Sequence, residues 1–250
     1  MTGRFTEASH RHEFSESPWA VVCDFDGTAI VGDIADALAL RYLGHEEFGR
    51  VNAEYERGEM TFRDLLHKLF DPITATKNEI RDFVQSYVQF RPGFIRLLEL
   101  ARDQDVPFTL ASGGLDIYIH PALELVDPSL TRCVTLRANH AHPVPAGLAV
   151  SFPYEHVPGG CGRCGSCKGA IVRELQASGY RVIAIGDGNA DRCMAGVADV
   201  LFARARLRDW CERSQVNYIA FESLDVVVEF LEAHSPFRGE PIDEAQPSIA

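Results

Sequence analysis

The sequence predicts an α/β fold: a Rossmann-like, doubly wound parallel sheet core with a small helical cap domain inserted into it. Short apolar runs that end in polar residues alternate with amphipathic stretches over most of the chain, a pattern typical of repeated strand–helix units. Residues 33–91 interrupt that alternation, because apolar residues recur there at helical spacing without a convincing strand. The 250 residues, 46% of them hydrophobic, suffice for one sizeable core and an accessory domain.

Shifts in composition divide the chain into segments. Residues 1–17 are polar and predict a flexible leader, whereas residues 18–32 and 92–234 predict the Rossmann-like core. The insert at 33–91, called the cap segment below, is predicted to be helical and ends at a Pro-Gly pair. Residues 235–250 contain three prolines and several acids, a composition typical of a flexible tail.

Each element within these segments follows from its own pattern. Continuous apolar runs bounded by turn residues predict buried strands, and apolar residues at three- and four-residue spacing predict helices. The predicted strands are 19–25, 106–114, 132–138, 148–152, 180–188, 199–203 and 217–221, with a loop at 139–147. The predicted helices are 33–43, 46–58, 61–70, 77–90, 94–105, 116–126, 169–179, one between 188 and 199, 206–214 and 223–234.

Charge and cysteine content restrict the class of partner. The formal net charge is −12 and no Lys/Arg-rich run exists, which argues against nucleic acid or an anionic membrane as a partner. No apolar stretch has the length of a membrane span, and the N-terminus lacks the apolar region of a secretory signal. Seven cysteines are an odd number and argue against a secreted disulfide framework. We therefore expect a cytoplasmic protein with a small-molecule partner; its oligomeric state stays open.

Polar residues follow the ends of three predicted strands. Asp24 and Asp26 end the first, Ser112 the second, and Asp187 a later one; Lys168 opens the helix before that later strand. In open α/β sheets, sites lie where the carboxyl ends of parallel strands meet. We expect these side chains to converge on one edge of the sheet.

Asp24 and Asp26 are two residues apart, so in an extended chain their side chains leave the same side. Two such close carboxylates repel each other unless a cation or a proton neutralises them. Asp187 adds a third hard oxygen donor, and such donors suit Mg²⁺ rather than zinc. A solvated turn is the ordinary alternative for the first two acids.

Ser112, Gly113 and Gly114 offer a hydroxyl and main-chain amides where a strand passes into a helix, a place suited to an anion. Lys168 offers a point charge for the same anion. Together with the acids, these groups can supply a metal site, a nucleophile and an anion clamp, which are the parts needed for phosphoryl transfer.

The segments "DFDGT" and "LASGG", Lys168 and the segment "GDGNAD" follow one another in this order. Their order and spacing resemble the four motifs of the haloacid dehalogenase-like hydrolase superfamily, over most of residues 19–230. Each motif alone is weak, but four in order, each at a predicted strand end or helix start, are specific. The resemblance implies a phosphatase with a Rossmann-like core.

The resemblance also implies roles for the acids. Asp24 is the expected nucleophile, forming an aspartyl-phosphate. Asp26 is expected to protonate the leaving alcohol and then to activate water. The expected Mg²⁺ ligands are Asp24, the main-chain carbonyl of Asp26, and Asp187.

The remaining motif residues receive roles from the same resemblance. Ser112 and Lys168 would hold the phosphoryl oxygens, together with the amides of Gly113 and Gly114. Asp191 would position Lys168 or a water bound to the metal. Its ordinary alternative is a cap on the following helix.

The position of the cap segment, between the first and second motifs, resembles the phosphoserine phosphatase-like branch, whose cap closes over the substrate. That branch carries a cap acid nine residues after the nucleophile, and Asp33 fills this place; its alternative role is a helix N-cap. Where the branch carries an arginine for the substrate carboxylate, this chain has Leu69, which cannot bind a carboxylate. Phosphoserine is therefore a poor substrate candidate.

A closer resemblance is to the phosphatases of 2-hydroxy-3-keto-5-methylthiopentenyl-1-phosphate, from methionine salvage. It rests on the segments "CGRCGSCKGAIVREL" and "ADVLFARARLRDWCERSQVNYIAFESLDVV". The apolar thioether tail of that substrate fits an apolar residue at position 69. Related small phosphate esters stay open as substrates.

Cys161, Cys164 and Cys167 form a C-x2-C-x2-C loop, with His156 upstream as a fourth donor for a structural Zn²⁺. Redox-sensitive thiols and a packed glycine-rich loop are the alternatives. Cys193 and the other cysteines are interpreted as packing residues.

Two further functions stay open. One is a zinc-bearing regulatory or binding protein that uses loop 156–167, with a vestigial acid site. The other is phosphoryl transfer between sugars, as in the phosphomutases of the superfamily.

Overall fold

The computed structural model of the protein describes residues 17–162 and 164–234. The predicted tail, and all but the last residue of the predicted leader, lie outside the described residues. The strands are β1 (Trp19–Cys23), β2 (Phe108–Leu115), β3 (Val134–Val144), β4 (Gly147–Ser151), β5 (Arg181–Gly186), β6 (Val200–Ala203) and β7 (Ile219–Ala220). They form one seven-stranded sheet in the order β4-β3-β2-β1-β5-β6-β7.

Helices flank this sheet. They are α1 (Ile34–Glu56), α2 (Phe62–Phe70), α3 (Lys77–Tyr87), α4 (Phe94–Asp103), α5 (Asp116–Leu123), α6 (Pro128–Thr131), α7 (Lys168–Ala177), α8 (Arg192–Ala195), α9 (Ala205–Ser214) and α10 (Asp225–His234). Across the part of the chain that the structure describes, none of these helices combines the length and the apolar character that a membrane crossing requires.

The central strand β1 fixes the position of everything at the carboxyl edge. It pairs in parallel with both β2 and β5, and its last residue, Cys23, lies opposite Leu110 on one side and Ile185 on the other. Only the β3–β4 pairing within this sheet is antiparallel. The predicted α/β class with a doubly wound, mostly parallel sheet is confirmed.

Successive residues of β1 serve opposite faces of the sheet, as the pleat requires. Val21 and Cys23 join the larger core cluster with the cap helices, α4, α5 and α10. Val22 joins the smaller cluster with α7 and α9. All three are fully buried, which explains why the strand reads as a continuous apolar run.

The structure corrects two predicted elements at the edges of the sheet. The predicted loop at 139–147 is largely strand, because β3 continues to Val144 and pairs with β4 from His140–Ser151 to Val144–Gly147. The last predicted strand, 217–221, is only two residues long in β7. β3 is longer than predicted because its second half pairs with β4, whereas β7 lies at the edge of the sheet and, among the described strands, pairs only with β6.

Helices α1, α2 and α3 fall within the cap segment, as the helical spacing predicts. Two separate helices were expected for the first stretch; α1 covers both, with a break at Gly44, where φ is +78°. The chain leaves the core and returns to it side by side, because the amide of Val31 donates to the carbonyl of Gln89 at 2.7 Å. The division of the chain into separate core and cap domains stays a prediction.

Candidate active site

A buried lysine between two carboxylates forms the centre of the site. Asp24 follows the end of β1 and its amide donates to the carbonyl of Ile185 at 2.9 Å, which fixes it between β1 and β5. Lys168 is the first residue of α7, and its Nζ contacts Oδ1 of both Asp24 and Asp191. The three side chains are almost inaccessible, since the residues are 7%, 2% and 1% exposed for Asp24, Lys168 and Asp191.

Asp187 completes an acidic group around this ion pair. It follows β5, and its Oδ1 accepts a hydrogen bond from the Thr28 hydroxyl at 2.9 Å. Asp191 accepts from the amides of Asp187 and Gly188 at 2.9 and 2.8 Å, so it also shapes the turn that carries Asp187. Carboxylate oxygens of Asp24, Asp187 and Asp191 all lie within 4.8 Å of one another.

Burial and mutual repulsion disfavour the charged form of these acids. Burial raises the pKa of Asp24 well above its ordinary value, and Asp191 raises it further, although Lys168 opposes this. The pKa of Asp187 is raised by burial and by Asp191, with the hydrogen bond from Thr28 acting against the rise. Burial opposes the charge of Lys168, but Asp191 and Asp24 outweigh it and raise the pKa of the lysine, which is therefore protonated at neutral pH.

The residues present fit a divalent cation. Three carboxylates face one ammonium group, so the buried group carries an excess of negative charge when its acids are ionised. Such an excess is costly to bury unless a cation or protons neutralise it. Carboxylate oxygens are ligands that Mg²⁺ prefers, whereas no thiol or imidazole belongs to this group.

Asp26 lies in the turn Phe25–Ala29 and is held by two donors. The amide of Ile34 donates to its Oδ1 at 2.8 Å, and the Tyr118 hydroxyl donates to its Oδ2 at 3.2 Å. Burial and the charge of Asp33 raise the pKa of Asp26, and these two hydrogen bonds act against the rise. Asp26 therefore holds a proton to higher pH than an exposed aspartate does.

The predicted phosphate-binding residues lie at the end of β2. The strand continues through Leu115, beyond the expected end at Gly114, and its pairing with β3 shifts register between Ala111 and Leu115. The Ser112 hydroxyl accepts from the Gly114 amide at 2.9 Å. This irregular stretch, rather than a separate turn, carries Ser112, which is buried.

Tyr118 links this stretch to Asp26. A Cβ at position 114 would clash with the Tyr118 hydroxyl, so glycine is required for the approach. That same hydroxyl donates to Asp26. Ser112, Gly114, Tyr118 and Asp26 are thus connected by direct contacts, and the structure brings the second motif to the first.

Several residues of the site were not predicted from the sequence. Arg91 and Arg204 both donate to the carbonyl of Gly27, at 2.6 and 2.9 Å, and hold the turn after β1 in place. Tyr118 and Thr28 contact the predicted acids directly. Thr28 belongs to the quoted "DFDGT" segment, which was a usable signal; the two arginines and Tyr118 carry none in their local sequence.

The two residues predicted to face the substrate from the cap segment differ in placement. Asp33 is the N-cap of α1, because its Oδ1 accepts from the Asp36 amide at 2.8 Å. It also lies close enough to raise the pKa of Asp26. Leu69 is 3% exposed and packs in the larger core cluster.

An aromatic side chain of α2 reaches the predicted phosphate-binding stretch at the end of β2. A Cβ on Gly113 would lie 3.2 Å from the Phe62 ring, so this ring lies over the end of β2. Tyr55 lies beside it, with ring centroids 6.2 Å apart. The side of the site that faces the cap segment is thus apolar at this point.

The cysteine loop lies next to the acidic site. Cys161, Cys164 and Cys167 bring their sulfurs within 4.8 Å of one another, whereas His156 does not join this group. The His156 side chain is 90% exposed and lies 3.8 Å from a carboxylate oxygen of Glu155. The structure brings together three of the four predicted zinc ligands.

A sheet edge that carries buried acids and a lysine places the protein among α/β enzymes with their site at the carboxyl ends of the strands. The model of the haloacid dehalogenase-like hydrolase family matches residues 21–196. The chain belongs to this family, and the predicted family resemblance is confirmed.

Curated relatives carry phosphatase names. The chain is 30% identical over 205 residues to "2-hydroxy-3-keto-5-methylthiopentenyl-1-phosphate phosphatase" of an Exiguobacterium species, covering 81% of this chain and 92% of that protein. It is 29% identical over 215 residues to "Bifunctional enzyme MtnB/MtnX" of Bacillus licheniformis. The match covers 85% of this chain but only 49% of that protein, so the chain spans about half of that relative's length.

Solved structures show the same fold. A phosphoserine phosphatase described as a phospho-aspartyl intermediate analogue superposes with a TM-score of 0.63 at 16% identity, covering 86% of this chain and 99% of that one. A family hydrolase from Salmonella enterica superposes with a TM-score of 0.66 at 17% identity, covering 87% and 73%. The family match and the phosphatase names together confirm the predicted enzyme class, a phosphoric monoester hydrolase.

The variant Asp33→Asn tests the raised pKa of Asp33 by its effect on the free energy of unfolding. Burial, with the charge of Asp36, raises the pKa of Asp33 from 3.8 to about 7. Between these values the folded state binds more protons than the unfolded state, so the free energy of unfolding falls as pH rises through this window. Asparagine keeps the N-cap and cannot ionise. We expect the free energy of unfolding of Asp33→Asn to fall less steeply with pH than that of the wild-type chain. At pH 8 its melting temperature should be higher than that of the wild-type chain by at least about 2 °C.

Thermal unfolding from pH 4 to pH 8 without divalent cations measures this effect. Asp82→Asn is the matched control, because Asp82 is an exposed acid on α3. Equal pH dependence in the wild-type chain and in Asp33→Asn would contradict the raised pKa.

Proposed function

We propose that the protein is a Mg²⁺-dependent phosphatase that hydrolyses a small phosphorylated metabolite through an aspartyl-phosphate on Asp24. One observation carries the proposal: Asp24 lies at a strand end, buried against Lys168, with its carboxylate within 4.8 Å of those of Asp187 and Asp191. A purely structural role for this group is costly, because three buried carboxylates share one ammonium and burial of the remaining charge destabilises the fold. A nucleophile that acts beside a lysine and a cation accounts for the arrangement.

The chain's own residues supply each proton and bond change. An Asp24 oxygen attacks phosphorus, the bond from phosphorus to the alcohol oxygen breaks, and Asp26 gives its proton to that oxygen. Asp26, now ionised, takes a proton from water as the water attacks the phosphoryl group. The bond from phosphorus to Asp24 then breaks, which releases phosphate and restores both acids. The raised pKa of Asp26 suits the first of these steps, in which it must carry a proton.

Charge on the phosphoryl group requires positive partners. Lys168 and the donors of the Ser112–Gly114 stretch would hold its oxygens. Mg²⁺, held by Asp24, Asp187 and the main-chain carbonyl of Asp26, would supply further positive charge to the phosphoryl oxygens when bound. Asp191 keeps Lys168 in place, since it contacts the lysine while accepting two main-chain hydrogen bonds.

For the substrate, we propose 2-hydroxy-3-keto-5-methylthiopentenyl-1-phosphate, the compound in the names of the curated relatives. The Phe62 and Tyr55 rings beside Gly113 offer an apolar surface for its thioether tail. Leu69 argues against phosphoserine, since an apolar residue stands where the phosphoserine phosphatases carry an arginine, but it is buried in the core and offers no surface to the tail. All seven cysteines are free thiols in the structure, which agrees with the reducing cytoplasm that we propose as the protein's location.

Phosphate release from a panel of esters with Mg²⁺ tests the proposal. The panel contains the methylthiopentenyl ester, phosphoserine and sugar phosphates, the last two as discriminating substrates. We expect the highest kcat/KM for the methylthiopentenyl ester, and a fall in kcat of at least about 10³-fold in Asp24→Asn, since the amide is not a nucleophile. Asp82→Asn is the control and should keep full activity.

Retained turnover in folded Asp24→Asn would remove Asp24 as the nucleophile. Transfer of phosphate to an added sugar in place of water would favour the phosphomutase alternative. A preference for phosphoserine would overturn the substrate proposal alone and leave the reaction intact.

Tyr118→Phe tests the proton donor. The hydrogen bond from Tyr118 lowers the pKa of Asp26, so its loss should raise that pKa further. Because Asp26 must be protonated in the first step, we expect the alkaline limb of the kcat/KM profile to move to higher pH. Tyr218→Phe, which removes an exposed hydrogen bond to Glu212, is the control. An unchanged alkaline limb in Tyr118→Phe would contradict this role of Asp26.

A further inference from the structure

The cysteine loop gathers three sulfurs in one place. The Sγ atoms of Cys161 and Cys164 are 3.0 Å apart, and that of Cys167 lies within 4.8 Å of both. The loop is not closed by a disulfide, since all three are free thiols. Three sulfurs at this separation leave a tetrahedral site one donor short.

Cys193 is the candidate for the fourth sulfur. It belongs to α8, a separate segment of the chain, and its Sγ accepts a hydrogen bond at 3.4 Å from the amide of Gly169, two residues after Cys167. It lies outside the group of three sulfurs within 4.8 Å of one another, so it would have to move towards them to complete a site. The interpretation of Cys193 as a packing residue is therefore incomplete. His156, the donor expected from the sequence, points instead into solvent.

Two features of the surrounding chain favour this approach of Cys193. A Cβ at Gly169 would clash with the main-chain carbonyl of Cys193, so only glycine lets α7 and α8 come this close. Main-chain amides donate to two of the sulfurs: Gly169 to Cys193 at 3.4 Å and Cys161 to Cys167 at 3.3 Å. Amide donors to sulfur are typical of the surroundings of metal-bound thiolates.

We infer that Cys161, Cys164, Cys167 and Cys193 bind one Zn²⁺ as a tetrahedral tetrathiolate site. Soft thiolate donors in a tetrahedral set select zinc over the hard cations of the acidic site. On binding, each thiol loses its proton to solvent and forms one bond from sulfur to zinc; no electron is transferred.

The position of this site gives it a consequence for the acidic site. Cys167 directly precedes Lys168, and Cys193 follows Asp191 by two residues. The zinc would therefore join the two segments whose side chains form the buried ion pair behind Asp24. The cysteines would act as structural residues that position Lys168 and Asp191, without contact to the substrate.

Metal analysis of the full chain, purified under reducing conditions from zinc-supplemented cells, tests the site. We expect about one zinc per chain. Cys193→Ser should lose it, because three thiolates and a neutral hydroxyl bind zinc far more weakly. Cys133→Ser, which changes an exposed cysteine away from the loop, and His156→Ala should both keep it.

A second measurement covers the case in which Cys193→Ser fails to fold. Co²⁺ is titrated into the reduced, metal-free wild-type chain, and its visible spectrum should be that of a tetrahedral site with four thiolates. A spectrum of three thiolates and one nitrogen, or loss of zinc in His156→Ala with retention in Cys193→Ser, would overturn the ligand set. A wild-type chain that takes up neither metal, or that holds iron instead of zinc, would overturn the site itself.

These results are independent of the proposed phosphatase. A chain that contains zinc but releases no phosphate would contradict the proposed function and leave the metal site standing. A zinc-free chain that hydrolyses the ester would contradict the metal site and leave the proposed function standing.

Discussion

The contact of Lys168 with Asp24 and Asp191 is the interaction on which the rest of the structure depends. Removing an ion from water costs several kcal/mol, and this cost is offset only when the partners are close and well hydrogen-bonded. Every nearby element serves that requirement. β1 ends just before Asp24, α7 begins at Lys168, and the turn after β5 holds Asp191 with two amide donors. One positive charge does not neutralise these acids, and the remaining negative charge suits a metal cation, whose own charge would then be needed to attract a phosphate.

The sequence predicts this centre well because its signals are local. An apolar strand that ends in acids is unusual, and parallel strands bring their carboxyl ends to one edge, so the convergence of Asp24, Asp187 and Lys168 follows from the pattern of the elements. The residues that hold these side chains in place carry no such local signal. Tyr118 donates to an acid 92 positions away, and Arg91 holds a turn 64 positions away. No periodicity or motif carries such contacts, since they depend on how helices pack on the sheet.

The cap segment and the cysteine loop show the same limit at a finer scale. Spacing predicts the helices of the cap segment, but not that Leu69 lies in the core while Phe62 reaches Gly113. Spacing also predicts that the loop cysteines cluster and suggests His156 as a fourth donor, but it does not predict that the packing of α7 on α8 places Cys193 against Gly169. In both cases the neighbours of a residue are decided by tertiary packing and not by its spacing in the sequence. β3 differs from prediction for a related reason, since its pairing with β4 extends it.

The central claim is that the buried acids are neutralised by a divalent cation. The most direct test is the thermal unfolding of the metal-free chain with increasing Mg²⁺ at pH 8, for the wild-type chain and for Asp187→Asn. A cation that binds only the folded state raises the melting temperature by mass action. The account predicts a rise that saturates with Mg²⁺ in the wild-type chain and is much smaller in Asp187→Asn. A melting temperature that does not respond to Mg²⁺, or that rises equally in both, would contradict it.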